Sequence, residues 1–205
     1  MKINKETVIY LANISIKVFI SFLSTRLLTT LLSKDEVGNY YLILSIVGFI
    51  NLVILNPIGM YYNRTILEYT DVGKLYESAF LVFLSFLTVG LISSPFLYYV
   101  YDWLELYKYV GLWMFIIYMF LAIVVSTSLR NIISAINSLG KTILFTSVTI
   151  ISAISGLIFS IIMIILFTKS SINWLYGLII SESIILLVIF FIYSRTKINF
   201  NKIQF

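Results

Sequence analysis

The stretch YYLILSIVGFINLVILNPIGMYYNRTILEY, residues 40–69, decides the fold class, because an almost wholly apolar run gives way there to polar residues. The run ends at Asn56 and Pro57, and two tyrosines and Arg64 follow. Proline interrupts helices, tyrosine is enriched at the surface of a bilayer, and arginine anchors helices on the cytoplasmic side. This order predicts a membrane-crossing helix that ends near Pro57 at the cytoplasmic surface.

The same stretch has a second interpretation. Transporters often contain helices that proline or glycine interrupts and that bend, or bind substrate, at the interruption. Pro57 and Gly59 are therefore candidate hinge or kink residues. A plain helix end or kink is the interpretation that we favour.

The composition of the whole chain requires lipid as part of its solvent. Of its 205 residues, 60% are hydrophobic and 11% are charged, whereas soluble domains carry about 25% charged residues. Lipid admits only helices and closed barrels, and continuous apolar runs favour helices. We expect an all-α integral membrane domain over residues 1–205, with a cytoplasmic tail at 194–205. Its six transmembrane helices are predicted at about residues 8–32, 40–58, 79–98, 110–139, 142–167 and 174–193.

The basic and aromatic residues predict the orientation. With the N-terminus inside, nine Lys and Arg residues lie on the inner side and three, Lys34, Lys108 and Lys169, on the outer side. This bias predicts that both termini are cytoplasmic. The three tryptophans, Trp103, Trp113 and Trp174, then lie at the outer surface, where they are expected to form an aromatic belt.

The missing residue types exclude most enzyme classes. The chain has no cysteine and no histidine, which excludes thiol nucleophiles, histidine bases and the usual zinc sites. The sequence also has no phosphate-binding glycine-rich motif. We therefore expect no catalytic residues, no metal and no cofactor. Because the basic residues are scattered between apolar runs, we expect a lipid bilayer and no nucleic acid as partner.

Three charged residues, Lys17, Arg26 and Glu182, lie inside apolar runs. An ionisable group at membrane depth is costly and suggests a functional site. The membrane depths of Lys17 and Glu182, counted along their helices, differ by no more than about 7 Å. This similarity predicts an ion pair between the first and last helices, a polar cavity, or both. Arg26 is nearer the outer surface, where it can reach the headgroups, and lies on the helix face opposite Lys17.

Two further patterns have both a structural and a functional interpretation. Ser152, Gly156 and Ser160 recur every four residues, which favours close helix packing over a substrate site. A polar stripe follows the fourth apolar run. It consists of Arg130, Ser134, Asn137 and Lys141. We favour the interpretation that this stripe is a solvated extension of the helix. The alternative is a basic gate for an anionic substrate.

Three segments, STRLLTTLLSKDEVGNYYLILSI, NPIGMYYNR and RNIISAINSLGK, resemble the oligosaccharide flippase family of the MOP superfamily. Members often carry an arginine late in helix one, an acidic loop that ends in glycine and an aromatic residue, and a glycine before an arginine at the end of helix two. The turn between helices four and five is also similar. The matching residues are Arg26, Asp35, Glu36, Gly38, Tyr40, Gly59, Arg64, Arg130, Asn131, Gly140 and Lys141.

The resemblance implies a fold like one six-helix half of a MOP transporter in the bacterial inner membrane. It implies a flippase of undecaprenyl-diphosphate-linked oligosaccharide for O-antigen, lipopolysaccharide or capsule biosynthesis. A positively lined cavity in that family suits the diphosphate. The candidate substrate-binding residues are Lys17, Arg26, Arg64, Arg130 and Glu182.

The number of helices departs from the family pattern. Family members have two six-helix halves, so this chain resembles an N-terminal half, as a truncated frame, a fragment or a subunit that joins a second half or dimerises. One alternative is a six-helix substrate-capture or scaffold subunit of another membrane complex. Another is a cation-coupled multidrug exporter of the same superfamily, which looks less similar because helix one carries no buried acid.

Overall fold

The computed structural model describes the backbone of residues 5–71, 75–106 and 110–195. Within these ranges the chain forms long helices and no strand, so the predicted all-α class is confirmed. The helices are α1 (Lys5–Leu31), α2 (Lys34–Ile50), α3 (Asn56–Asp71), α4 (Leu75–Trp103), α5 (Leu112–Leu121), α6 (Thr127–Ser138), α7 (Thr142–Leu166) and α8 (Ser171–Arg195). The predicted tail at 194–205 lies almost wholly outside the described residues.

Two π-helical turns join four of these helices into two long ones. Asn51–Leu55 connects α2 to α3, and Ala122–Ser126 connects α5 to α6. Five helices of the described chain are therefore long and apolar enough to cross a membrane. The count is six if α4, which bends by 50° beside Pro95, is one span.

The helix that contains Pro57 does not end there, so the predicted helix end was wrong, while the predicted kink stays a prediction. The span continues through Pro57 to Tyr69. Proline lacks an N–H and clashes with the carbonyl four residues earlier, which normally breaks a helix. Here that carbonyl belongs to the π-helical turn, where the Asn56 N–H bonds to Asn51 O, five residues back. We attribute the continuity to this wider turn, which accommodates the ring.

The small residues of α7 form its contact with α8, as the packing interpretation predicted. The Ser160 Oγ donates to the Trp174 carbonyl over 2.8 Å. A side chain at Gly177 would collide with the backbone at Ser160, and one at Gly156 would meet only the tip of Leu178, at 3.1 Å. The two helices therefore approach each other backbone to backbone.

Helix α1 lies at the edge of the bundle. Its main neighbour is α7, with a smaller contact to α2. The buried Asn13 provides a polar link, because the Thr149 Oγ1 donates to its Oδ1 over 3.3 Å. Most other side chains described for α1 are exposed, and the apolar ones among them suit contact with lipid.

The three tryptophans of the predicted aromatic belt differ in exposure, and the belt itself stays a prediction. Trp103 and Trp113 are 81% and 74% exposed, as residues at a membrane surface should be. Trp174 is instead fully buried, beside Leu28, Leu32 and Ile164. It fills the junction of α1, α7 and α8, a position that hydropathy cannot distinguish from the surface of a membrane.

Glu36 has a structural role that the sequence did not indicate. The Ser33 side chain caps α2 by accepting from the Glu36 N–H. The carboxylate of Glu36 accepts a 2.6 Å hydrogen bond from the Ser171 N–H at the start of α8. An acidic group at a helix N-terminus is favourable, so Glu36 joins the starts of two spans on one side of the bundle.

We expect reporter fusions after Lys34, Lys108 and Lys169 to report the outer side and fusions after Lys74 and Lys197 the cytoplasmic side. The reason is the excess of basic residues in the predicted inner segments. Paired phosphatase and fluorescent-protein fusions measure this. A consistently reversed pattern would refute the orientation but not the helix boundaries.

Candidate functional site

A group of polar side chains, three of them buried and one half-buried, links the two bent spans to α8. We call it the intramembrane polar cluster, and it consists of Asn51, Ser126, Thr127 and Glu182. The Thr127 Oγ1 donates to the Asn51 Oδ1 over 2.9 Å. The hydroxyl of Ser126 donates to the Glu182 Oε2. Two hydrogen bonds thus join three spans through adjacent residues.

The π-helical turns place these side chains. Asn51 is the first residue of one turn, Ser126 is the last of the other, and Thr127 follows it. All five residues of Ala122–Ser126 are buried. π-Helical turns are rare and occur frequently at functional sites. Their presence on two facing spans marks this junction as the candidate site.

Glu182 lies close to the middle of its span. It is eleven residues after Ser171 in the apolar helix Ser171–Phe191, a rise of about 16 Å. On the preceding residue of α8, the Ser181 Oγ lies 2.6 Å from the Ser155 Oγ of α7. Polar contacts therefore extend from the cluster towards α7.

The structure does not form the predicted ion pair between Lys17 and Glu182. Lys17 is exposed on α1, and Glu182 bonds instead to Ser126. Matched depth was the basis of the prediction, and depth does not say which helices are neighbours. Helix α1 packs mainly on α7, whereas α8 also packs on α2, α5 and the turn at Ala122–Ser126.

Apart from Glu182, which belongs to the cluster, Arg130 is the sequence candidate that lies closest to it along the chain. It is one helical turn beyond Ser126, its side chain is exposed, and its charge acts on Glu182. The other three candidates, Lys17 and Arg26 on α1 and Arg64 on α3, are also exposed. Of the five candidate binding residues, the structure therefore associates Arg130 with Glu182.

Gly59, two residues after Pro57 in α3, packs against α6 close to the polar cluster. It is buried, and a side chain there would collide with Asn131 of α6. The Asn131 Nδ2 in turn donates to the Thr127 carbonyl over 2.9 Å. Gly59 therefore allows α3 to approach α6 one turn from the cluster, and its predicted hinge role stays a prediction.

A narrow recess lies beside the cluster between α3, α4 and α6. Its volume is about 10 Å³, close to the space that one water molecule needs. Its polar lining includes Tyr62, Ser128 and Asn131. The buried Ser128 hydroxyl has no hydrogen-bond partner among the described residues, so a water molecule in the recess would satisfy it.

The exposed residues of the polar stripe fit the interpretation that this end of α6 is a solvated helix extension. Arg130 and Asn137 are exposed, and Ser134 is half-buried. Lys141 is half-buried at the start of α7, and this burial lowers the pKa of its amino group. The alternative, a basic gate, stays a prediction.

Sequence reasoning identified Glu182 but missed Asn51, Ser126 and Thr127. The available signal was weak: single polar residues that interrupt the apolar runs GFINLV and AIVVSTS. In the described residues, no group of three or more carboxylates could hold a metal ion. No protein-family model matches the chain, and neither a curated protein nor a solved structure matches it.

Proposed function

We propose that this chain is a membrane transporter unit for an anionic, lipid-linked substrate. The intramembrane polar cluster is the observation that carries the proposal. Buried polar and ionisable side chains are expensive within apolar helices and commonly line transport paths. Here they sit where two spans deviate from α-helical geometry, the type of irregularity on which transporters build their binding sites.

The resemblance to oligosaccharide flippases supplies the proposed substrate class, a diphosphate-linked oligosaccharide on a polyprenyl lipid. Arg130 is the proposed contact for the diphosphate. An arginine stays charged and offers a planar set of donors that matches phosphate oxygens. Arg130 is exposed and lies one helical turn beyond Ser126 of the cluster, so an anion can reach it from outside the bundle.

A second six-helix unit is the proposed partner, either another copy or a different half. Lys17 supports this proposal. It is exposed on α1, about 13 Å along the helix from Val8, which is farther than a lysine side chain reaches. A charge at that depth needs polar surroundings, and a facing unit with a shared cavity would provide them.

Substrate binding to Arg130 is testable with this chain alone in lipid nanodiscs. We expect the wild-type chain to bind a polyprenyl-diphosphate oligosaccharide more tightly than a neutral glycolipid of equal length. Arg130→Gln should weaken that binding by about tenfold, because it removes charge-assisted hydrogen bonds. Quenching of tryptophan fluorescence measures the affinity.

Lys169→Gln is the matched control, since it removes an exposed positive charge that lies before the start of α8 and outside the cluster. It should leave the affinity unchanged. Equal affinity for the diphosphate and the neutral glycolipid would refute the substrate class. Normal binding by Arg130→Gln would refute the assigned contact.

A further inference from the structure

We infer that Glu182 is a proton-binding site, and that its proton controls the contact between α8 and the π-helical turn that ends at Ser126. The inference goes beyond the proposed transport function and does not depend on the identity of the substrate. It rests on the position of one carboxyl group, on its hydrogen-bond partner and on the charges that face it.

The first step asks which neighbouring groups would stabilise a negative charge on Glu182. Glu182 is half-buried near the middle of an apolar span, and a carboxylate at that depth needs a cation or several donors, since its transfer from water is otherwise very unfavourable. Within the described chain, Glu182 receives a hydrogen bond from Ser126 and takes part in no ion pair. Such a carboxyl group keeps its proton unless the site opens to water.

The second step concerns the groups that face Glu182 from neighbouring elements. Helix α6 contributes Arg130, and α5 contributes Tyr118, whose ring packs edge-to-face on Tyr176 of α8. Tyr40 of α2 lies near Tyr118. Helix α7 and the turn Ala122–Ser126 contain no ionisable residue. The arginine is thus the cation that acts on the carboxyl group, and it does so without direct contact.

The third step is the mechanical consequence. A protonated Glu182 can either donate to or accept from the Ser126 hydroxyl, whereas an ionised one only accepts. The neighbouring Thr127 holds Asn51 in the other π-helical turn. Loss of the proton therefore removes Glu182 as a donor at its contact with Ser126, directly beside the residue that holds the other bent span.

The test uses the full chain in membrane vesicles and dicyclohexylcarbodiimide, which modifies protonated carboxyl groups in apolar surroundings. We expect peptide mass spectrometry to find the modification on Glu182 near neutral pH, far above the value of about 4.3 at which an ordinary glutamic acid titrates. Glu182→Gln should abolish this modification. Glu77→Gln, which changes an exposed carboxylate, should leave it intact.

Two further variants separate proton binding from a merely structural role. Ser126→Ala and Arg130→Gln each remove a group that favours the ionised form. Modification of Glu182 should then persist to a pH higher by roughly one unit. The inference fails if folded wild-type protein is not modified at Glu182 near neutral pH, or if neither variant moves the midpoint. It also fails if sodium protects Glu182 at constant pH, which would assign the site to a metal cation.

Discussion

Gly177→Ala is expected to destabilise the bundle by about 3 kcal/mol, although it adds a single methyl group. The added carbon would collide with the backbone of α7 at Ser160 and lie 2.7 Å from the Phe159 carbonyl carbon. Backbone atoms cannot rotate away as a side chain can, so α7 and α8 must separate. Overpacking of this kind typically costs 1–3 kcal/mol or more. Titration with a denaturing detergent in mixed micelles measures the free energy of unfolding.

Two other glycines serve as graded controls. Gly156→Ala would meet only the flexible end of Leu178, at 3.1 Å, so its effect should be smaller. Gly48→Ala meets nothing within 4 Å, and alanine forms helix better than glycine by about 1 kcal/mol. Gly48→Ala should be neutral or stabilising. If all three variants behave alike, the close α7–α8 contact is refuted.

Trp174→Ala is expected to destabilise the protein by about 3 kcal/mol, whereas Trp113→Ala should cost less than about 1 kcal/mol. Both are tryptophans of apolar segments, but Trp174 is fully buried and Trp113 is 74% exposed. In lipid the loss comes from packing contacts and the cavity left behind, since apolar side chains gain little by leaving lipid. The same detergent titration compares the two variants.

Quenching by brominated lipids provides an independent measurement of these positions. Single-tryptophan variants should show strong quenching for Trp113 and weak quenching for Trp174. Strong quenching of Trp174 would place it in the lipid and refute its burial, whatever the stability measurement gives.

The sequence by itself determined the features that depend on local composition. The apolar runs predicted an all-helical membrane protein, and the four-residue spacing of Ser152, Gly156 and Ser160 predicted a close helix contact. Glu182 was identified as a charge at membrane depth. These properties follow from hydropathy and helical period. Both depend only on residues that are close together along the chain, so the rest of the fold is not needed to predict them.

Only the tertiary structure decided which residues meet. Glu182 contacts Ser126 and not Lys17, Trp174 is buried among other side chains, and the helix at Pro57 continues through a π-helical turn. Each outcome depends on which spans are neighbours and on how their backbones deviate from regular geometry. Depth in the membrane follows from position along one helix, whereas neighbour choice depends on the packing of all helices together, which no local pattern records.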